Sequence, residues 1–138
     1  MRSRKSGQVL TFFAVVLPVV LLPVAAYAID ATTVAGREAG LQAATAQAAE
    51  TAAQRLDVAA IRSSGAFTVD PAAARLVAYQ MLAEEEPGAS IDSYLATGTE
   101  VTVVTREPVS LPFSVFARTV SLRARATARL VPGYDIPS

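Results

Sequence analysis

Cysteine, histidine and tryptophan are all missing from this 138-residue chain, and lysine occurs once, at Lys5. Without cysteine there is no disulfide, no thiolate metal site, no thiol nucleophile and no lipid-modified cysteine, and the composition carries no mark of redox compartment. Without histidine there is no imidazole base, so acid–base or nucleophilic chemistry would rest on scattered carboxylates, hydroxyls and one lysine. A Gly-rich phosphate loop, a carboxylate-rich calcium loop and a paired catalytic motif are also lacking. The chain therefore reads as a non-enzyme with no cofactor, no metal and no small-molecule substrate.

An excess of one charge is missing too: 12 basic residues balance 12 acidic ones. No global field draws the chain to nucleic acid. Aromatics make up 7% of the residues, and alanine supplies much of the 52% that are apolar. Such a soluble part buries a small core, of one modest domain.

What the chain does have is a long uncharged apolar run over residues 9–29, ended by Asp30 and preceded by Arg2, Arg4 and Lys5. A bilayer core needs about 20 apolar residues, so the run reads as a transmembrane helix behind a basic N-terminus at 1–8. Basic residues stay on the cytoplasmic face. The N-terminus is therefore expected inside, and everything after Asp30 outside, as in a single-pass membrane protein. Pro18 and Pro23 each delete a backbone donor within the run, a defect that neighbouring groups must offset in lipid. A rival reading is a cleaved signal peptide: Ala26 and Ala28 form an A-x-A site with Pro23 ahead of it. Helical composition resumes at Ala31 without a turn signal, which favours an uncut anchor.

Residues 30–63 are rich in Ala, Gln, Glu, Arg and Leu and predict a long helix to about Arg62. Its alanine stripe, with Ala44, Ala48, Ala49 and Ala52, is shallow and suits packing against a partner helix. Gly36 and Gly40 read either as a close-packing pair or as a weak point above the membrane. Residues 64–138 form a small α/β head. Ser63, Ser64 and Gly65 break the helix, residues 67–69 read as a short strand, and Asp70-Pro71 starts a second helix that stops at Pro87-Gly88. Glu84, Glu85 and Glu86 at its end read as a solvated run.

Residues 99–106 and 119–130 alternate as strands. In the second, Val120, Leu122, Ala124, Ala126, Ala128 and Leu130 share the core face. Arg123, Arg125 and Arg129 share the wet one, a surface for an anionic partner or an edge kept soluble. The segment 107–118 between the strands is an apolar, proline-containing linker. The fold class is α+β: a long N-terminal transmembrane and extracytoplasmic helix, then a short helix and a small antiparallel sheet.

Gly7-Gln8 followed by Phe13-Ala14-Val15-Val16-Leu17-Pro18, Asp30 after the apolar run and Leu41-Gln42-Ala43-Ala44 resemble the amino-terminal region of TadE/TadG-like proteins of the tight-adherence (Flp) pilus-assembly system. The resemblance implies a structural or assembly component of a pilus or related secretion apparatus, partnered by other subunits through helix packing and by the lipid bilayer. It also implies a pilin-type cut after Gly7, before Gln8. Phe12 stands where TadE-like pseudopilins carry glutamate, so the charge pair with a neighbouring subunit's new terminus is missing. Ala46 replaces an aspartate often found in TadG-like members. The likeness therefore leans to the TadG-like amino-terminal type, anchored by an uncut helix. The alternative is a secreted or anchored envelope-binding module released near Ala28.

Overall fold

A computed structural model of the chain describes residues 3–115 and 117–131, with side chains from residue 7 onward. The fold is α+β. Helix α1 covers Ser3–Ala53 and contains Pro18 and Pro23. Helices α2 (Val58–Ser64) and α3 (Pro71–Glu85) precede strands β1 (Ser90–Thr97), β2 (Glu100–Ser110) and β3 (Thr119–Arg129).

The Ala-rich helix expected to reach Arg62 stops at Ala53 instead. Its residues favour helix locally, but the backbone of 55–57 is drawn into a bridge. Asp57 N–H donates to the Thr68 carbonyl and Asp70 N–H to the Arg55 carbonyl, each at 2.8 Å. Asp57 then restarts a helix as N-cap, accepting from Ala60 N–H at 3.0 Å. Gly65 ends α2 in the left-handed conformation, φ 70°, where a Cβ would add strain. The strand expected at 67–69 is reduced to one isolated bridge, Leu56 with Val69. Helix α3 begins as its Asp-Pro pair predicts: Asp70 Oδ1 accepts from Ala72 and Ala73 N–H at 3.0 and 3.1 Å.

The sheet order is β1-β2-β3. β1 and β2 are antiparallel, with Thr97 opposite Glu100 across a Gly98-Thr99 turn and a register shift at Asp92. β2 and β3 meet through Leu130 N–H to the Thr99 carbonyl (2.7 Å) and the hydroxyls of Thr102 and Thr127, 2.8 Å apart. β1 has no counterpart in the sequence-based reading. β2 runs four residues beyond Arg106, taking in the start of the expected linker. β3 matches its expected alternation, with Leu122 and Ala124 buried and Ser121, Arg123, Arg125, Thr127 and Arg129 exposed.

By packing, the chain forms two compact units, residues 1–35 with 110–120 and residues 36–109 with 121–138. The core of the second unites Ala49, Ala52 and Ala53 of α1, Ala74 and Ala78 of α3, Val69, Val101, Val103 and Leu130. The alanine stripe is thus covered by the chain's own sheet and α3, rather than by the partner helix its shallowness suggests. Small side chains let the helix backbone lie close to the sheet, which suits the bulkier valines opposite.

Candidate functional site: the apolar helix and its loop clasp

From residue 7 to residue 29 nearly every α1 side chain is exposed, including Leu10 at 75%, Leu22 at 67% and Val19 at 66%. A helix apolar on all sides has no polar face to offer water. It is the one described helix long and apolar enough to cross a membrane, and its N-terminal position also fits a signal sequence. Thr11 Oγ1 returns a hydrogen bond to the Gly7 carbonyl at 2.8 Å. At the far end Thr32 and Thr33 both donate to the Ile29 carbonyl, at 2.9 and 2.8 Å. Hydroxyls bonded back into the helix hide their polarity where the apolar run ends.

Asp30 is 4% exposed. Its Oδ1 accepts from Phe113 N–H at 3.0 Å and its Oδ2 from Val115 N–H at 3.1 Å. A carboxylate receiving two backbone donors is a charge-assisted clasp, stronger than neutral hydrogen bonds. Both oxygens are engaged, which suits holding a loop rather than taking a proton from a substrate. The loop is closed at its base by Leu111 N–H to the Arg118 carbonyl (3.0 Å). Ser114 at its tip has φ 53° and donates to the Leu111 carbonyl at 3.2 Å. A serine in the left-handed region carries a steric cost that the clasp offsets. A hollow of about 320 Å³ lies between Tyr27, Ala31 and Val34 of α1 and Leu111, Ala117 and Val120.

The clasp is the feature sequence reasoning missed. An isolated aspartate directly after an apolar run was the available signal; its partners lie 83 and 85 residues away.

The residues singled out in the sequence fall as follows. Gly7, Gln8, Ala26 and Ala28 all lie inside unbroken α1, so cutting at either position requires local unwinding. Arg2 lies outside the described residues, as do the side chains of Arg4 and Lys5. Arg123, Arg125 and Arg129 do share the exposed face of β3. Arg123 and Arg106 converge on Asp92, with Arg123 at 2.5 Å, and Arg129 meets Glu100 at 2.5 Å. Two of the three charges are therefore already paired within the sheet. Arg125 alone of the three has no acidic partner among the described residues; its carbonyl accepts from Gln42 Nε2 at 3.1 Å. No group of three or more acidic side chains able to hold a metal ion is found among the described residues.

No protein-family model, no curated protein and no solved structure matches this chain.

Proposed function

We propose that this chain is a non-enzymatic, membrane-anchored structural or assembly component of a bacterial pilus or related secretion apparatus of the Tad/Flp type. The observation that carries the anchor is the apolar girdle over residues 9–29 of α1, exposed on every side. Leaving the 14 large apolar residues of this run in water is costly, at about 25 cal/mol per Å². A bilayer and neighbouring helices remove that cost. The pilus assignment rests on the Gly7-Gln8, Phe13–Pro18 and Asp30 resemblance. Basic Arg2, Arg4 and Lys5 orient the N-terminus to the cytoplasm, and the other subunits of the apparatus are the expected partners.

A second reading, a released envelope-binding module, is favoured by the Ala26-x-Ala28 spacing behind Pro23. Intact-mass analysis of the protein from its native host separates the histories. A full-length mass supports the uncut anchor, loss through Gly7 supports pilin-type maturation, and loss through Ala28 overturns the anchored reading. Alkaline carbonate extraction separates anchored from released protein independently, since an anchored chain stays with the membrane pellet. Co-isolation of pilus or secretion subunits with the detergent-solubilised protein tests the assembly role; its failure in a host that carries such an apparatus would remove it.

A further inference from the structure

We infer that the loop tip carrying Phe113 and Val115 is a second membrane contact, a hydrophobic finger that the Asp30 clasp holds in the lipid–water interface. The inference rests on the anchored reading of α1. Residues 9–29 at 1.5 Å per residue span about 32 Å, which matches a hydrocarbon core of about 30 Å. Ile29 and Asp30 then lie at the boundary where hydrocarbon gives way to headgroups. The clasp fixes Phe113 and Val115 to Asp30 by two backbone hydrogen bonds, so the loop tip sits at that same depth.

The side chains at this tip fit that place. Phe113 is 55% exposed and Val115 39%, while the carboxylate beneath them is buried. A loop meant for water would turn these groups inward. Here the polar clasp is inside and the apolar residues are outside. Aromatic and aliphatic side chains at a membrane boundary gain the burial they lack in water. Arg118, exposed at the loop's exit, places a cation where lipid phosphates lie and its apolar stem can remain in the interface. The bilayer is the occupant because the tip lies in the same compact unit as the apolar part of α1 and is bonded to Asp30, directly after the exposed Ile29 that ends the apolar run.

The absence of cysteine makes the test direct, since any introduced cysteine is the sole labelling site. Full-length Phe113→Cys, Leu17→Cys and Leu95→Cys proteins carry a nitroxide in vesicles of phosphatidylethanolamine and phosphatidylglycerol. Accessibility to oxygen and to a water-soluble nickel chelate then reports depth. The expected result is a lipid signature at 113, shallower than at 17, and an aqueous signature at 95, which is 64% exposed on β1. Adding Asp30→Ala should convert the label at 113 to chelate-accessible while leaving 17 unchanged. An aqueous label at 113 with a lipid-buried label at 17 overturns the finger and leaves the anchor standing. Shielding of 113 from both reagents overturns it in favour of a protein partner, and an aqueous label at 17 overturns both readings. A lipid signature at 113 that survives Asp30→Ala overturns the role of the clasp.

Discussion

The hydroxyls of Thr45 and Thr105 lie 2.6 Å apart in the interior, joining α1 to the central strand across 60 residues of sequence. Both side chains are fully buried. Thr45 Oγ1 donates its hydrogen to the Leu41 carbonyl, also at 2.6 Å, so Thr105 must donate to Thr45. The pair is a fully satisfied polar pin in an otherwise apolar contact.

Breaking the pin on one side should cost more than removing it. Thr45→Val leaves the Thr105 hydroxyl buried without an acceptor, an expected loss of about 1–3 kcal/mol. Adding Thr105→Val removes the orphan, and the double variant should lose less than the sum of the two singles. Urea unfolding of the full-length protein in detergent micelles, followed by circular dichroism, gives the cycle. Additive losses would show that the hydroxyls do not depend on each other.

The alanine face of α1 sets how close the helix lies to the sheet. Ala48, Ala49 and Ala52 are fully buried, so there is no room for a larger side chain. Ala49→Leu should destabilise by about 1–3 kcal/mol through overpacking. The outward Ala43→Leu, on an exposed position of the same helix, should change stability by less than about 0.5 kcal/mol. Equal effects at the two positions would mean that the alanine stripe is not the packed face.

The apolar helix and β3 are legible in the sequence because each follows one simple period. Residues 9–29 are uninterrupted by charge, and Val120 to Leu130 alternate with polar neighbours. β1 is not legible: Ser-Ile-Asp-Ser-Tyr-Leu-Ala-Thr is polar, and the bulge at Asp92 breaks its alternation. The stop at Ala53 is hidden for a different reason. Gln54, Arg55 and Leu56 are good helix formers, and only hydrogen bonds to residues 68–70 pull them out of the helix. The Asp30 clasp is illegible for that same non-local reason, although the lone charge at the end of the apolar run marks where to look.

Tyr94 makes stability depend on pH at the alkaline end. Its hydroxyl donates to the Pro71 carbonyl at 3.3 Å. Burial raises its pKa above the ordinary 10.0; Arg75 partly lowers it and Asp70 raises it further. A raised folded-state value means that the fold favours the neutral phenol. That contribution is fully present below about pH 10 and is lost as pH climbs through the raised value. Tyr94→Phe should therefore lose stability relative to the parent near neutrality, and the difference should shrink above about pH 10. A difference that stays constant with pH would show that the phenol does not feel its burial.

Glu107 and Arg37 should give opposite signs. Glu107 is 4% exposed on the inward side of β2, and its Oε2 has no hydrogen-bond partner among the described residues. Arg37 Nη1 lies 3.7 Å from Glu107 Oε1 and 3.8 Å from Glu86 Oε2, too far for a strong hydrogen bond. With the Arg37 side chain 55% exposed, solvent weakens the attraction, while the carboxylate bears most of its desolvation cost. Arg37→Met takes away the partial compensation and should destabilise by up to about 1 kcal/mol. Glu107→Met removes the buried charge itself and should be neutral or stabilising by about 1 kcal/mol, because an apolar group of similar length has nothing to leave unpaired. In the double variant the Arg37 loss should largely vanish. If Glu107→Met destabilises instead, the carboxylate is held by a favourable partner in the working protein, and its burial reflects that contact rather than a tolerated cost.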